Sequence, residues 1–154
     1  NKSKLKKYAL SSSLMDVSIS YNGELFKFNL HKEIKIRESH ISADILSQPS
    51  VYGFLTMLHK ALIKELGHAK VDETKAYATS YLKYKGQKNE ETGRSNSEEV
   101  AKQKAERSIL YLQAQRKVID LNHDVNRIEG CVRAFEQRKD MLQTLSANRR
   151  KEQL

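Results

Sequence analysis

"VIDLNHDVNRIEGCVRAFEQRKDML", residues 118–142, carries the pattern that decides the fold. Val118, Leu121, Val125, Ile128, Val132 and Phe135 recur at alternating steps of three and four, and Leu142 rejoins the series after Lys139 fills one position. Such a repeat, kept over three heptads, marks a helix packed along another helix. Cys131 falls beside this seam as a small apolar residue. Upstream, Ala105, Ile109 and Leu112 form a shifted stripe, so one helix carries two apolar faces and needs two partners. An earlier helix of the same chain covers one face, and a neighbouring copy is the economical cover for the other.

The earlier helix is legible upstream. Pro49 fits a first helical turn. Val51, Phe54, Leu55, Leu58, Ala61, Leu62, Leu66 and Ala69 follow at steps of three and four, and the pattern thins through Ala76, Tyr77, Tyr81 and Tyr84 to Gly86. The spacing predicts a helix over 50–86, roughly 55 Å long at 1.5 Å per residue. "GQKNEETGRSNSEE", residues 86–99, is the main loop, and Ser95-x-x-Glu98 or Asn96-x-x-Glu99 supplies a capping box at its end. A second helix is then expected from about 97 to 147, roughly 75 Å by the same rise. "SANRRKEQL" closes the chain as a frayed basic tail.

Residues 16–30, "DVSISYNGELFKFNL", read differently. Asn22-Gly23 is the preferred two-residue hairpin turn, because both positions adopt positive φ. That turn pairs Tyr21 with Glu24, Ile19 with Phe26 and Val17 with Phe28, and sets these residues on one face with Leu30. "EIKIRES", residues 33–39, reads as a third strand or a lead into a turn. The expected class is mainly α: a long helix–loop–helix with a C-terminal coiled-coil-like seam and a small N-terminal β-hairpin (α+β), assembled as an oligomer. The expected organisation is a basic flexible tail over 1–15, the hairpin and lead over 16–48, a helical oligomerisation and DNA-binding region over 49–148, and a basic tail over 149–154.

Composition limits the function. The 154 residues carry a net charge of +9, with 38% hydrophobic and 31% charged residues and one proline. That profile suits a helix-rich protein with a thin core, and its charge suits nucleic acid, an anionic surface or acidic protein partners. No apolar run approaches a membrane span. The single cysteine allows no internal disulfide, which points to a reducing, intracellular compartment. No phosphate-binding glycine loop, GxSxG motif or Cys/His cluster is present, so no catalytic role and no cofactor is expected. Glu65, His68 and Asp72 share a helix face, but one Glu-x-x-His copy falls short of a carboxylate-bridged metal site and reads as surface salt bridging.

Lysines and tyrosines are the informative residues. Lys70, Lys75, Lys83, Lys85 and Lys88 run toward the loop, with Tyr77, Tyr81 and Tyr84 among them at steps of four and three. Phosphates want cations, and unstacked bases want an aromatic face. The structural alternative is the tail of an apolar stripe with snorkelling lysines. Lys102, Lys104, Arg107, Arg116 and Lys117 join the same side if the helices fold back on each other.

The order of these segments resembles a known family. "IRES" leads to "YGFLTMLHKALIKEL" and "KAYATSYLKYKG"; "EEVAKQKAERSILYLQAQRKVIDL" follows the loop, and a last helix runs through "VRAFEQRKDMLQTL". Over residues 34–150 this resembles the UvsY-like recombination mediators of large tailed phages. The resemblance implies a non-enzymatic, ring-forming homo-oligomer in the host cytoplasm that binds single-stranded DNA. It implies as partners a RecA-like recombinase and the single-strand-binding protein that the recombinase replaces. The family's Lys-Ala-Arg-x-Asp-Tyr signature corresponds here to "ATSYLKY": Ala78 and Ser80 stand for its basic residues, Leu82 for its acid, and Tyr84 lies one residue beyond its tyrosine. The expected DNA-binding set is therefore Lys70, Lys75, Tyr77, Tyr81, Lys83, Tyr84, Lys85 and Lys88, with oligomerisation through Val118, Leu121, Val125, Ile128, Val132, Phe135 and Leu142. The competing readings are a coiled-coil structural or scaffold protein and a nucleoid- or RNA-binding accessory protein.

Overall fold

The computed structural model describes residues 15–152. The tail expected over 1–15 falls outside them except for Met15, as do the last two residues. The protein is mainly α with a two-stranded antiparallel hairpin. Strand β1 (Asp16–Tyr21) and strand β2 (Glu24–Asn29) are followed by helix α1 (Leu30–Ile34), a 3-10 turn (Glu38–His40), and helices α2 (Ile41–Gly86), α3 (Glu98–Glu106) and α4 (Ile109–Glu152). Contacts divide the chain into two compact units. One joins the segment ending at His59 to the segment starting at Asn126, and the other is Lys60–Val125. The hairpin thus shares a unit with the part of the last helix from Asn126 on, while the region expected over 49–148 contributes to both.

In the first unit the hairpin has the expected register: Val17 faces Phe28, Ile19 faces Phe26 and Tyr21 faces Glu24. Asn22 (φ 50°) and Gly23 (φ 78°) make the turn, in the left-handed region that the twist of a two-residue hairpin requires. Val17 and Ile19 are buried, and the Phe26 ring meets the Phe54 ring of α2 with centroids 5.4 Å apart. The Arg127 guanidinium of α4 donates to the Asp16 carbonyl. The strand does not extend to Leu30, and residues 33–39 form no third strand. Asn29 prevents it: its side-chain oxygen accepts from the Lys32 N–H at 3.0 Å and caps α1, while its amide donates to the Asp16 carboxylate at 2.7 Å.

Helix α2 starts eight residues before Pro49, not at it. The upstream turns were hidden because their inward face is partly polar. Ile41, Asp44 and Gln48 are buried there and continue the stripe of Leu55 and Leu58. Their partner is Arg138 of α4, whose side chain is 5% exposed. Its guanidinium meets the Asp44 carboxylate at 3.3 Å and donates to the Gln48 side-chain oxygen. Gln48 in turn donates to the Phe135 carbonyl at 2.6 Å. Asp44 also accepts from the Arg37 N–H at 3.1 Å and from the Arg37 guanidinium at 3.3 Å.

The seam of α4 is accordingly shifted from its expected register. Val125, Ile128, Cys131, Phe135, Arg138 and Leu142 are buried; Val132 is half-buried and Lys139 is exposed. Arg138 takes the place assigned to Lys139 because it alone reaches Asp44 and Gln48. Burial raises the Cys131 thiol above its ordinary pKa. The pairs Asp44–Arg138 and Gln48–Phe135 show the two helix segments of this unit running antiparallel. Helix α4 continues to Glu152, so Arg149, Arg150 and Lys151 are helical and complement the negative end of its dipole, where a frayed tail was expected.

In the second unit the expected single helix over 97–147 is broken. Helix α3 ends at Glu106, and Ser108 starts α4. The Ser108 hydroxyl accepts from the Tyr111 N–H at 3.2 Å and donates to the Ser80 hydroxyl at 2.8 Å, which satisfies a buried helix start. Helix α3 is capped by Ser97, whose side chain accepts from the Val100 N–H at 3.3 Å, and not by either expected capping box. Leu62, Leu66, Ala69, Ala76 and Ser80 of α2 are buried, as are Ala101, Ala105 and Ser108.

Asp44 makes the first unit sensitive to acid. The Arg37 backbone N–H holds its carboxyl below the usual value; burial opposes this, and the Arg37 and Arg138 guanidinium groups reinforce it. A lowered folded-state pKa adds stability above the unfolded-state value of about 4, and that stability is lost as pH falls through the folded-state value. Asp44→Asn should therefore lower the urea midpoint at pH 7 and flatten its fall between about pH 5 and pH 2. Parallel curves for the two proteins over that range would contradict this role.

Candidate nucleic-acid interface

The expected DNA-binding residues lie in the second unit, on the last turns of α2 and the loop that follows. Lys70, Lys75, Lys83 and Lys88 are exposed, and Lys85 is half-buried. None of the five lies in a salt bridge within 4.0 Å among the described residues. They do not share one face. At roughly 100° per residue, Lys70 and Lys85 fall within about 40° of Tyr81, Lys75 lies well round the helix, and Lys83 is on the far side. The lysines form a collar around the helix, with the exposed apolar side chains Val71 and Leu82 among them.

The tyrosines behave as a cluster. The Tyr77 and Tyr81 rings stack with centroids 6.5 Å apart and planes 15° from parallel. Tyr77 also meets the edge of Tyr111 at 5.4 Å, and Lys83 Nζ lies 5.8 Å from the Tyr84 ring centroid. Tyr77, Tyr81 and Tyr84 are half-buried, so each gives part of its surface to the fold and part to solvent. Tyr111 was missed in the sequence because it lies off both stripes of its helix. It arrives beside Tyr77 because Ser108, one turn earlier, is held by Ser80. The pairs Tyr77–Tyr111 and Ser80–Ser108 show that α2 and the start of α4 fold back on each other in this unit.

The loop beyond Gly86 is built, not slack. The Asn89 side chain accepts from the N–H groups of Glu91 and Thr92, Gly93 takes φ 66°, and Asn89 N–H donates to the Arg94 carbonyl at 2.6 Å. Asn96 is buried and its amide donates to the Tyr84 carbonyl at 2.7 Å, which fastens the loop to the end of α2. Lys88 therefore projects from a fixed turn.

Cations from α3 and α4 are exposed as well: Lys102, Lys104, Arg107, Arg116 and Lys117. Of these, Lys102 is drawn into the site. It pairs with Glu98 at 3.0 Å, which raises the Lys102 pKa, with smaller contributions from Tyr81 and Tyr77. The same pair lowers the Glu98 pKa, with a minor contribution from Lys85. Glu73 and Glu106 line a shallow recess with Tyr77 and Tyr111. The tyrosine side is thus mixed in charge, and the free cations lie around it.

The residues expected to join copies are mostly occupied within the chain. Val125, Ile128, Phe135 and Leu142 are buried by its own fold, and Val118, Leu121 and Val132 are half-buried. The shifted stripe is divided: Ala105 is buried in α3, whereas Ile109 is 74% exposed and Leu112 is exposed too, and Ile119, 60% exposed, joins these two on the same side of α4. Among the described residues no group of three or more His, Cys, Asp or Glu side chains could hold a metal ion, so Glu65, His68 and Asp72 form no such site. No helix among them is long and apolar enough to cross a membrane. No family model, curated protein or solved structure matches this chain.

The tyrosine cluster can be weighed by a double-mutant cycle. Tyr77→Ala and Tyr111→Ala should couple by about 0.5–1.5 kcal/mol in urea unfolding, the usual worth of an edge-on aromatic pair. Additive effects would mean that the two rings contribute independently.

Proposed function

We propose that the protein is a non-enzymatic mediator of recombination, of the UvsY-like kind, that binds single-stranded DNA as a homo-oligomer. In this reading it helps a RecA-like recombinase displace single-strand-binding protein, in the cytoplasm of the cell where it acts. The observation that carries the reading is the collar of lysines free of ion pairs around a cluster of half-exposed tyrosines. Cations that hold no carboxylate are available to phosphates, and binding them releases counterions from the strand. The exposed edges of Tyr77, Tyr81 and Tyr84 add a surface for bases, worth about 1–3 kcal/mol where a base stacks. One chain holds few phosphates, so several chains on one strand are needed for tight binding.

Self-association is assigned here to the exposed side of α4 carrying Ile109, Leu112 and Ile119. The buried seam of Ile128, Phe135 and Leu142 is consumed inside the chain, whereas this stripe has the spacing of a helix contact and no cover among the described residues. The scaffold reading is favoured by two observations. The tyrosine rings pack on each other, and carboxylates line their recess. A protein that only assembles would show both features without binding nucleic acid.

A polarisation titration with labelled oligo-dT separates the two. Salt-sensitive binding is expected, and Lys83→Ala with Lys85→Ala should lower the slope of log K against log salt by roughly 1.4, about 0.7 per lost phosphate contact on a single strand. An unchanged slope would remove these lysines from the site, and no binding at all would favour the scaffold. Ile119→Asp should shift sedimentation toward the single chain and weaken oligo-dT binding while leaving the helical circular dichroism intact. A monomeric wild type would refute the oligomeric reading.

A further inference from the structure

The first unit contains a second concentration of positive charge that belongs neither to the lysine collar nor to its loop. A cavity of about 300 Å³ lies between α1, the lead into α2, and α4. Lys32, Lys35, Arg37 and Arg138 line it, against the carboxylates of Glu33 and Asp44. The Asp44 carboxylate is fully engaged, since it serves the Arg37 N–H and the guanidinium groups of both Arg37 and Arg138. Two guanidinium groups therefore share one carboxylate. Lys32 and Lys35 are exposed, and neither has a salt bridge within 4.0 Å among the described residues. At the buried end, Arg138 Nε is shielded from solvent and has no acceptor among the described residues.

A buried N–H without an acceptor is costly, and a recess whose lining carries more cations than carboxylates raises the local concentration of anions. We infer that this cavity is a binding site for a phosphate-class oxyanion, held by Lys32 and Lys35 at the mouth and by Arg37 and Arg138 behind them. Such a group offers several acceptors at once, matches the fork of a guanidinium, and supplies the negative charge that the lining lacks. A free phosphate and the backbone phosphate of a strand present the same chemistry to these residues. Helix α1 positions the mouth, because its Asn29 cap sets Lys32 one turn in and Lys35 at its end.

Thermal unfolding of the full chain tests the site, with inorganic pyrophosphate and, separately, a short oligo-dT as probes, and chloride at matched ionic strength as control. Near 100-fold excess over its Kd, a bound probe should raise the wild-type Tm by roughly 5–10 °C. Lys32→Ala with Lys35→Ala should lose most of that shift for the probe that gives it. Both side chains are exposed, so this variant should keep the Tm of wild type in chloride. Lys83→Ala with Lys85→Ala should keep the pyrophosphate shift, which separates this site from the lysine collar. A shift with pyrophosphate that depends on Lys32 and Lys35 supports the site with a free phosphate as its source. A shift with oligo-dT alone that depends on the same pair supports it with a strand as the source. Equal shifts in wild type and the Lys32/Lys35 variant, or no shift with either probe, would overturn the inference.

Discussion

The first unit depends on one buried polar layer. Arg138 enters an apolar seam only because Asp44 and Gln48 meet it from α2, and Gln48 also reaches the Phe135 carbonyl. Taking a guanidinium and a carboxylate out of water is costly, and the geometry must repay it. The layer is therefore intolerant of displacement: a slip of one helix segment past the other would leave charges unpaired, at about 3–5 kcal/mol for a broken buried pair. Asp44 extends the constraint to the lead before α2 through Arg37, and the hairpin is tied to α4 through Arg127. An apolar stripe alone would pack in several registers; this layer selects one.

How much of this was legible depends on which force set each element. The hairpin could be read residue by residue, because Asn22-Gly23 fixes the turn and the turn fixes the register. The long helices were legible from their spacing. Their starts were not, since they are set by polar partners distant in sequence. The first two turns of α2 are helical because Asp44 and Gln48 bury against Arg138, ninety and more residues away. A stripe sought among apolar residues alone stops at Pro49. The break at Ser108 was hidden for a similar reason: its hydroxyl is a helix cap only if the Ser80 hydroxyl is there to receive its proton. The candidate site was half legible. Its lysines and three tyrosines were found by pattern, whereas Tyr111 and the pairing of Lys102 with Glu98 emerge only from the fold-back.

The distribution of apolar surface changes what self-association can use. The strongest helical repeat in the sequence invites the idea that it joins copies, but the chain satisfies it internally with the hairpin and the first half of α2. Among the apolar side chains left exposed are Ile109, Leu112 and Ile119 on the first turns of α4. A weaker stripe suits contacts that form and re-form, as the proposed function requires. The lysine collar fits the same proposal, since charges spread around a helix favour no single register of a bound polyanion.

The chain's one thiol sits in that same seam, 1% exposed, with its ionisation suppressed by burial. Cys131 is therefore chemically silent while the surrounding unit is closed, and nothing equivalent exists in the Lys60–Val125 unit. An alkylating reagent would thus act as a clock for one half of the molecule alone, advancing only during the intervals when the hairpin and the helices around it part.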